Sequence, residues 1–269
     1  MNENHSDNQK SEKLHLLSTI MKNLIRSNTL KKTILFISLL FLKPTINFGQ
    51  DLAIPKEILA RIKTEKIVNL NEVNDTLTFK IIYPEKYNPK KEYKILFGLS
   101  GGNQTSDIVD YCYAAWFKSD YFTNYITILP VNTKHKSLKE CKPNEIKSIY
   151  ATLKNKFKTK EKWIIAGTSN GGVATFNFVA VEPTLFEGVI VIPGVLNDEI
   201  EITDAWKHLK FVLAYGEKDA VSWISGAQKS KTLLEGKVKS CTTFEMKDQG
   251  HILPLGFDIN SVYAIYFKK

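Results

Sequence analysis

Trp163-Ile164-Ile165-Ala166-Gly167-Thr168-Ser169-Asn170-Gly171-Gly172 runs from a short apolar stretch through a turn of small residues into Val173-Ala174-Thr175-Phe176. The apolar stretch reads as a buried strand and residues 170–181 as the helix that follows, so the segment predicts strand, sharp turn, helix. Gly167 and Gly171 stand two positions on either side of Ser169. Larger residues there would collide with the strand and the helix; two glycines let the serine hydroxyl project from the end of the sheet. An ordinary glycine-rich turn would show the same pattern. Its surroundings must therefore decide.

On both sides the chain alternates strand-like and helix-like stretches. Residues 77–83 end at Pro84 and suit an early, partly exposed strand. Residues 94–99, 125–131, 188–192, 211–215 and 242–246 are apolar, β-branched or aromatic segments bounded by Gly, Pro or charged stretches. Helical candidates lie between them at about 143–158, 170–181, 221–236 and 256–268. This order predicts an α/β architecture, a mostly parallel sheet covered on both faces. No repeat or Pro-rich linker divides the chain after residue 60, so residues 50–269 read as a single domain.

A serine hydroxyl attacks a carbonyl only when a base takes its proton, and that base is usually a histidine oriented by a carboxylate. Beyond residue 50 the histidines are His135, His208 and His251. His135 lies in a Lys-rich loop, and His208 precedes a strand, at the wrong end of the sheet. His251 follows the last strand, at the edge where Ser169 emerges. For the acid, Asp219 follows a buried strand and a Gly turn. Asp198 follows the preceding strand and is the alternative, while Glu217 is expected to point away from the site. The charge that develops on a carbonyl oxygen needs fixed donors. The Asn170 amide is one candidate, with an amide of Gly102 or Asn103 in the loop Ser100-Gly101-Gly102-Asn103 as the other.

These residues resemble the α/β-hydrolase superfamily over about residues 77–268. The resemblance is carried in order by Leu99-Ser100-Gly101-Gly102, Gly167-Thr168-Ser169-Asn170-Gly171-Gly172, Gly216-Glu217-Lys218-Asp219 and Gly250-His251. It implies a three-layer sandwich with nucleophile Ser169, acid Asp219, base His251, and oxyanion donors at Asn170, Gly102 and Asn103. Compact esterases of the carboxylesterase, dienelactone-hydrolase and feruloyl-esterase type are the nearest in character. The first loop often reads His-Gly in that superfamily; here Ser100 takes the histidine position. Only about seventeen residues separate the strand ending at Ile192 from the next, too few for a large lid.

Composition is that of a foldable globular chain: of 269 residues, 43% are hydrophobic and 24% charged, which excludes disordered and disulfide-framework classes. The net charge is +9, but residues 1–49 hold Lys10, Lys13, Lys22, Arg26, Lys31, Lys32 and Lys43 against Glu3, Asp7 and Glu12, which is +4 of it. The remaining +5 gives no footprint for nucleic acid. Thr33 to Leu42 is an apolar run after Lys31-Lys32, too short to span a bilayer and suited to an export leader over residues 1–49, with Met21 as an alternative start. A secreted or periplasmic protein with no stable membrane span is then expected. Cys112 and Cys141 would be free to pair in such a compartment. No phosphate loop, dinucleotide fingerprint or metal-ligand cluster occurs, so neither cofactor nor metal is implied. The aromatic group Tyr111, Tyr113, Trp116, Phe117, Tyr121 and Phe122 reads as core before pocket; Trp223 is a further pocket candidate. The expected substrate is a small-molecule or glycan-linked ester. A peptidase or amidase, or a silent binding module, stays open as an alternative.

Overall fold

The computed structural model describes residues 54–68, 76–132, 137–159 and 162–268. The expected leader and His135 lie outside the described residues. The chain enters through a one-turn helix α1 (Lys56–Leu59), β1 (Lys63–Val68), β2 (Thr76–Ile82), β3 (Lys94–Leu99) and α2 (Ser106–Cys112). It continues through β4 (Tyr125–Val131), α3 (Pro143–Lys156), β5 (Trp163–Gly167) and α4 (Asn170–Val181). The last part is β6 (Phe186–Val191), β7 (Lys210–Gly216), α5 (Val221–Leu234), β8 (Ser240–Met246) and α6 (Asn260–Phe267).

The eight strands form one sheet in the order β1-β2-β4-β3-β5-β6-β7-β8. Only β2 runs against its neighbours, pairing antiparallel with β1 and β4; every other pair is parallel. Strands buried on both faces must be apolar throughout, and β5 is: all five of its residues are buried. One face packs Ile149, Tyr150 and Leu153 of α3, Phe176 and Phe178 of α4, and Leu234 of α5. The other packs Val109 and Cys112 of α2 and Val262 and Tyr263 of α6. The result is a three-layer sandwich.

That layering positions the site. The connection leaving β3 starts on the α2 face, whereas the one leaving β5 runs on the opposite face. Adjacent parallel strands whose connections diverge leave a crevice at their carboxyl ends, here between residues 100–104 and residues 168–170. Between β6 and β7 the described chain holds only a 3-10 turn at Asp204–Trp206, which leaves no room for a lid domain. Among the described residues no helix is long and apolar enough to cross a membrane.

The structure adds β1, whose Lys63-Thr64-Glu65-Lys66 start is too polar to read as a strand; it is an edge strand, paired on one side only. The final helix begins at Asn260 and not near 256, because Pro254 to Ile259 form turns, with Phe257 N–H donating to Pro254 O at 3.0 Å. The aromatic group after the first loop is core: Tyr111, Tyr113, Trp116, Phe117 and Phe122 are buried, and Tyr121 alone is exposed. Among the described residues, none of Cys112, Cys141 and Cys241 is in a disulfide. Cys112 packs on one face of the sheet and Cys141 on the other, so the two do not meet.

Burial gives these groups a pH signature. It pushes the Cys112 thiol up to about 11, against the opposing pull of the nearby Gly101 amide and Ser100 hydroxyl. Burial likewise raises Cys241 to about 12 and holds Tyr150 and Tyr263 well above the usual phenol range. A group whose folded pKa is raised lends stability below its unfolded pKa and loses it as pH climbs through the folded value. The urea midpoint should therefore hold up to about pH 8.5, the unfolded thiol value, and fall steadily above it. A midpoint unchanged to pH 11 would contradict this.

Candidate active site

Ser169 stands between β5 and α4 with φ 55° and ψ −121°, a backbone state that costs a non-glycine residue about 1–3 kcal/mol. Its neighbours hold it there: Ser169 N–H donates to Pro193 O at 2.7 Å, and Thr168 N–H to Leu99 O at 3.1 Å. The two motif glycines are steric necessities. A Cβ on Gly167 would lie 2.1 Å from Thr175 Oγ1, and one on Gly171 would lie 2.0 Å from the Leu99 carbonyl oxygen. Gly171→Ala should thus push α4 off the sheet, costing about 3 kcal/mol in urea unfolding. Wild-type stability in that variant would show the turn to be looser than described.

Asp219 follows β7, and its carboxylate is fully buried within hydrogen-bond reach of His251. His251 Nδ1 lies 3.0 and 3.1 Å from the two Asp219 oxygens, and Ala220 N–H donates to Asp219 Oδ1 at 2.7 Å. On the other side of the ring, His251 Nε2 is 2.9 Å from Ser169 Oγ. The imidazole is one-third exposed, so one edge faces solvent and any arriving substrate. Its loop is tied to the acid's turn by Lys218 N–H on Gln249 O at 2.8 Å and Asp248 N–H on the Glu217 carboxylate at 2.8 Å. From the core side, Tyr111 Oη donates to Leu253 O at 2.7 Å.

As the first residue of α4, Asn170 leaves its amide without an intrahelical acceptor. Its side chain reaches across the crevice, Nδ2 donating to Gly102 O at 3.0 Å, while Asn132 Nδ2 donates to Asn103 O at 3.4 Å. Gly102 and Asn103 are exposed at the mouth of the crevice beside Ser169. The turn at Ser169 and the first loop are therefore linked across the crevice.

The other candidates fall elsewhere. Asp198 is an exposed residue paired with Lys229, and the carboxylate that His251 Nδ1 meets is that of Asp219. His208 Nε2 contacts Phe186 O at 2.9 Å, at the opening of β6 and so at the far end of the sheet. Glu217 does not meet the imidazole; it supports the histidine loop instead. Trp223 does approach the site, its ring 4.9 Å from the His251 ring and tilted 34°. Sequence reasoning missed Gln104 and Lys139. Gln104 is fully buried in the first loop, and Lys139 Nζ donates to Asn170 Oδ1 at 3.3 Å. No local pattern marks either, because their partners come from distant segments. The non-glycine residues with positive φ among those described are Gln104, Ser169 and Asp248, one in each loop that builds the site. Strain concentrated this way is characteristic of functional loops.

No protein-family model matches the chain, and no curated protein matches it in sequence. Solved structures do match. The chain is similar to a thermostable esterase at TM-score 0.56 and 18% identity, over 79% of this chain and 61% of that one. It is similar to a ferulic acid esterase from the anaerobic fungus Anaeromyces mucronatus at TM-score 0.52 and 14% identity, over 74% and 88%. Dipeptidyl peptidase 4 of Porphyromonas gingivalis gives TM-score 0.53 and 12% identity, over 71% of this chain but 32% of that one. The chain thus spans less than two thirds of the thermostable esterase and about a third of the peptidase. What it shares with all three is the fold.

Proposed function

Because the chain has the α/β-hydrolase fold, we propose that it is a serine hydrolase cleaving carboxylic esters through an acyl-enzyme. The observation that supports this reading is the hydrogen-bonded chain from Asp219 through His251 to Ser169, at 3.0 and 2.9 Å. His251 Nε2 takes the Ser169 proton as Oγ attacks the ester carbonyl. The negative charge on the carbonyl oxygen is met by the Asn170 amide and an amide of Gly102 or Asn103. His251 then gives its proton to the leaving alcohol, and a water molecule repeats the sequence to release the acid. Asp219 accepts a hydrogen bond from His251 Nδ1–H throughout and stabilises the imidazolium each time it forms. Trp223 supplies an aromatic wall beside the imidazole for one substituent of a small-molecule or glycan-linked ester.

A peptidase reading rests on the likeness to dipeptidyl peptidase 4, since the same triad chemistry opens esters and amides. Comparing a nitrophenyl ester with a peptide nitroanilide decides between them: the proposal expects turnover of the ester, and cleavage of the peptide alone would overturn it. We also propose that residues 1–49 direct export and are removed; an intact N-terminus on protein recovered outside the cell would exclude that.

A further inference from the structure

The first loop must hold its amides still without the histidine that often begins it; the Ser100 side chain that stands there faces the buried Cys112 thiol. We infer that Gln104 is the positioning residue of this loop, setting the Gly102 and Asn103 amides for the oxyanion. The inference rests on the reading of Ser169 as the nucleophile.

Gln104 is fully buried and adopts φ 57°, both unfavourable for a glutamine unless its polar groups are satisfied. They are. Its Nε2 donates to Ser100 O at 2.9 Å, and its Oε1 accepts from Leu138 N–H at 3.0 Å. Its backbone N–H donates to Gly101 O at 3.3 Å, and its carbonyl accepts from Asn132 N–H at 2.9 Å. Two of these bonds close the loop on itself; the other two fasten it to the chain after β4. That second segment is in turn bound to α4: Asn177 Nδ2 donates to Lys139 O at 2.9 Å, and Lys139 Nζ to Asn170 Oδ1. One buried amide thereby places the loop that carries one oxyanion donor in the same frame as the helix that carries the other. Methionine would fill the space but could make neither side-chain bond. A neutral glutamic acid could make both, its O–H donating to Ser100 O; a carboxylate has no proton to donate and would face that carbonyl oxygen.

The test measures kcat and KM for a short-chain nitrophenyl ester in wild type, Gln104→Met and Gln104→Glu across pH, with circular dichroism on each. For Gln104→Met we expect kcat to fall about 100-fold with KM within about twofold, as for displacement of a group that acts only on the transition state. For Gln104→Glu we expect the ratio of variant to wild-type kcat to fall as pH rises and the side chain ionises. If Gln104→Met does not fold, the pH course of that ratio decides alone. A wild-type kcat in Gln104→Met, or a ratio independent of pH in Gln104→Glu, would overturn the role of Gln104 while leaving the ester hydrolase intact. An inactive wild type would instead remove the reading on which it rests.

Discussion

Ser169→Ala should lower kcat for a nitrophenyl ester by about 10⁶-fold, with KM little changed and the fold retained. The size follows from what is removed. Ser169 Oγ is the atom placed 2.9 Å from His251 Nε2, and in the proposed mechanism no acyl-enzyme forms without it. Residual catalysis would come from the amides at the crevice and from substrate binding. Alanine at φ 55° suffers about the same backbone strain as serine, so stability should change little. Turnover within tenfold of wild type would mean that another group attacks the ester.

Asp219→Asn should cost about 10⁴-fold in kcat for a different reason. The Asp219 carboxylate only accepts, which fixes the proton of a neutral His251 on Nδ1 and leaves Nε2 free to take the serine proton. Asparagine keeps the shape and can still accept from the Ala220 amide. Turning its NH₂ to the ring, however, selects the other tautomer and occupies Nε2 with a proton. Kinetics near wild type in a folded variant would show that the imidazole is oriented by something else.

That Ser169, Asp219 and His251 meet could be read from the chain because each lies just beyond the carboxyl end of a strand, and parallel strands deliver those ends to one edge. The choice of acid was less legible. Asp198 and Asp219 both follow strands, and only the tertiary contacts, Asp219 with His251 and Asp198 with Lys229, tell them apart. The strand β1 escaped because an edge position lets Lys63 to Lys66 stay polar. Gln104 escaped more completely. A glutamine in a glycine-rich loop reads as solvent-facing, and its burial depends on Leu138, which is near in space but 34 positions away in the chain. The start of the last helix was misplaced because residues 254–259 are spent on turns beneath the histidine loop, where Tyr111 reaches Leu253.

The proposed hydrolase stands or falls on attack by Ser169 Oγ. A fluorophosphonate probe followed by peptide mass mapping tests it most directly, since the probe reacts with an activated serine and mimics the tetrahedral intermediate. One adduct per chain is expected, on the peptide containing Ser169, and none in Ser169→Ala or after heat unfolding. No adduct on folded wild-type protein, or an adduct mapped to a different residue, would contradict it.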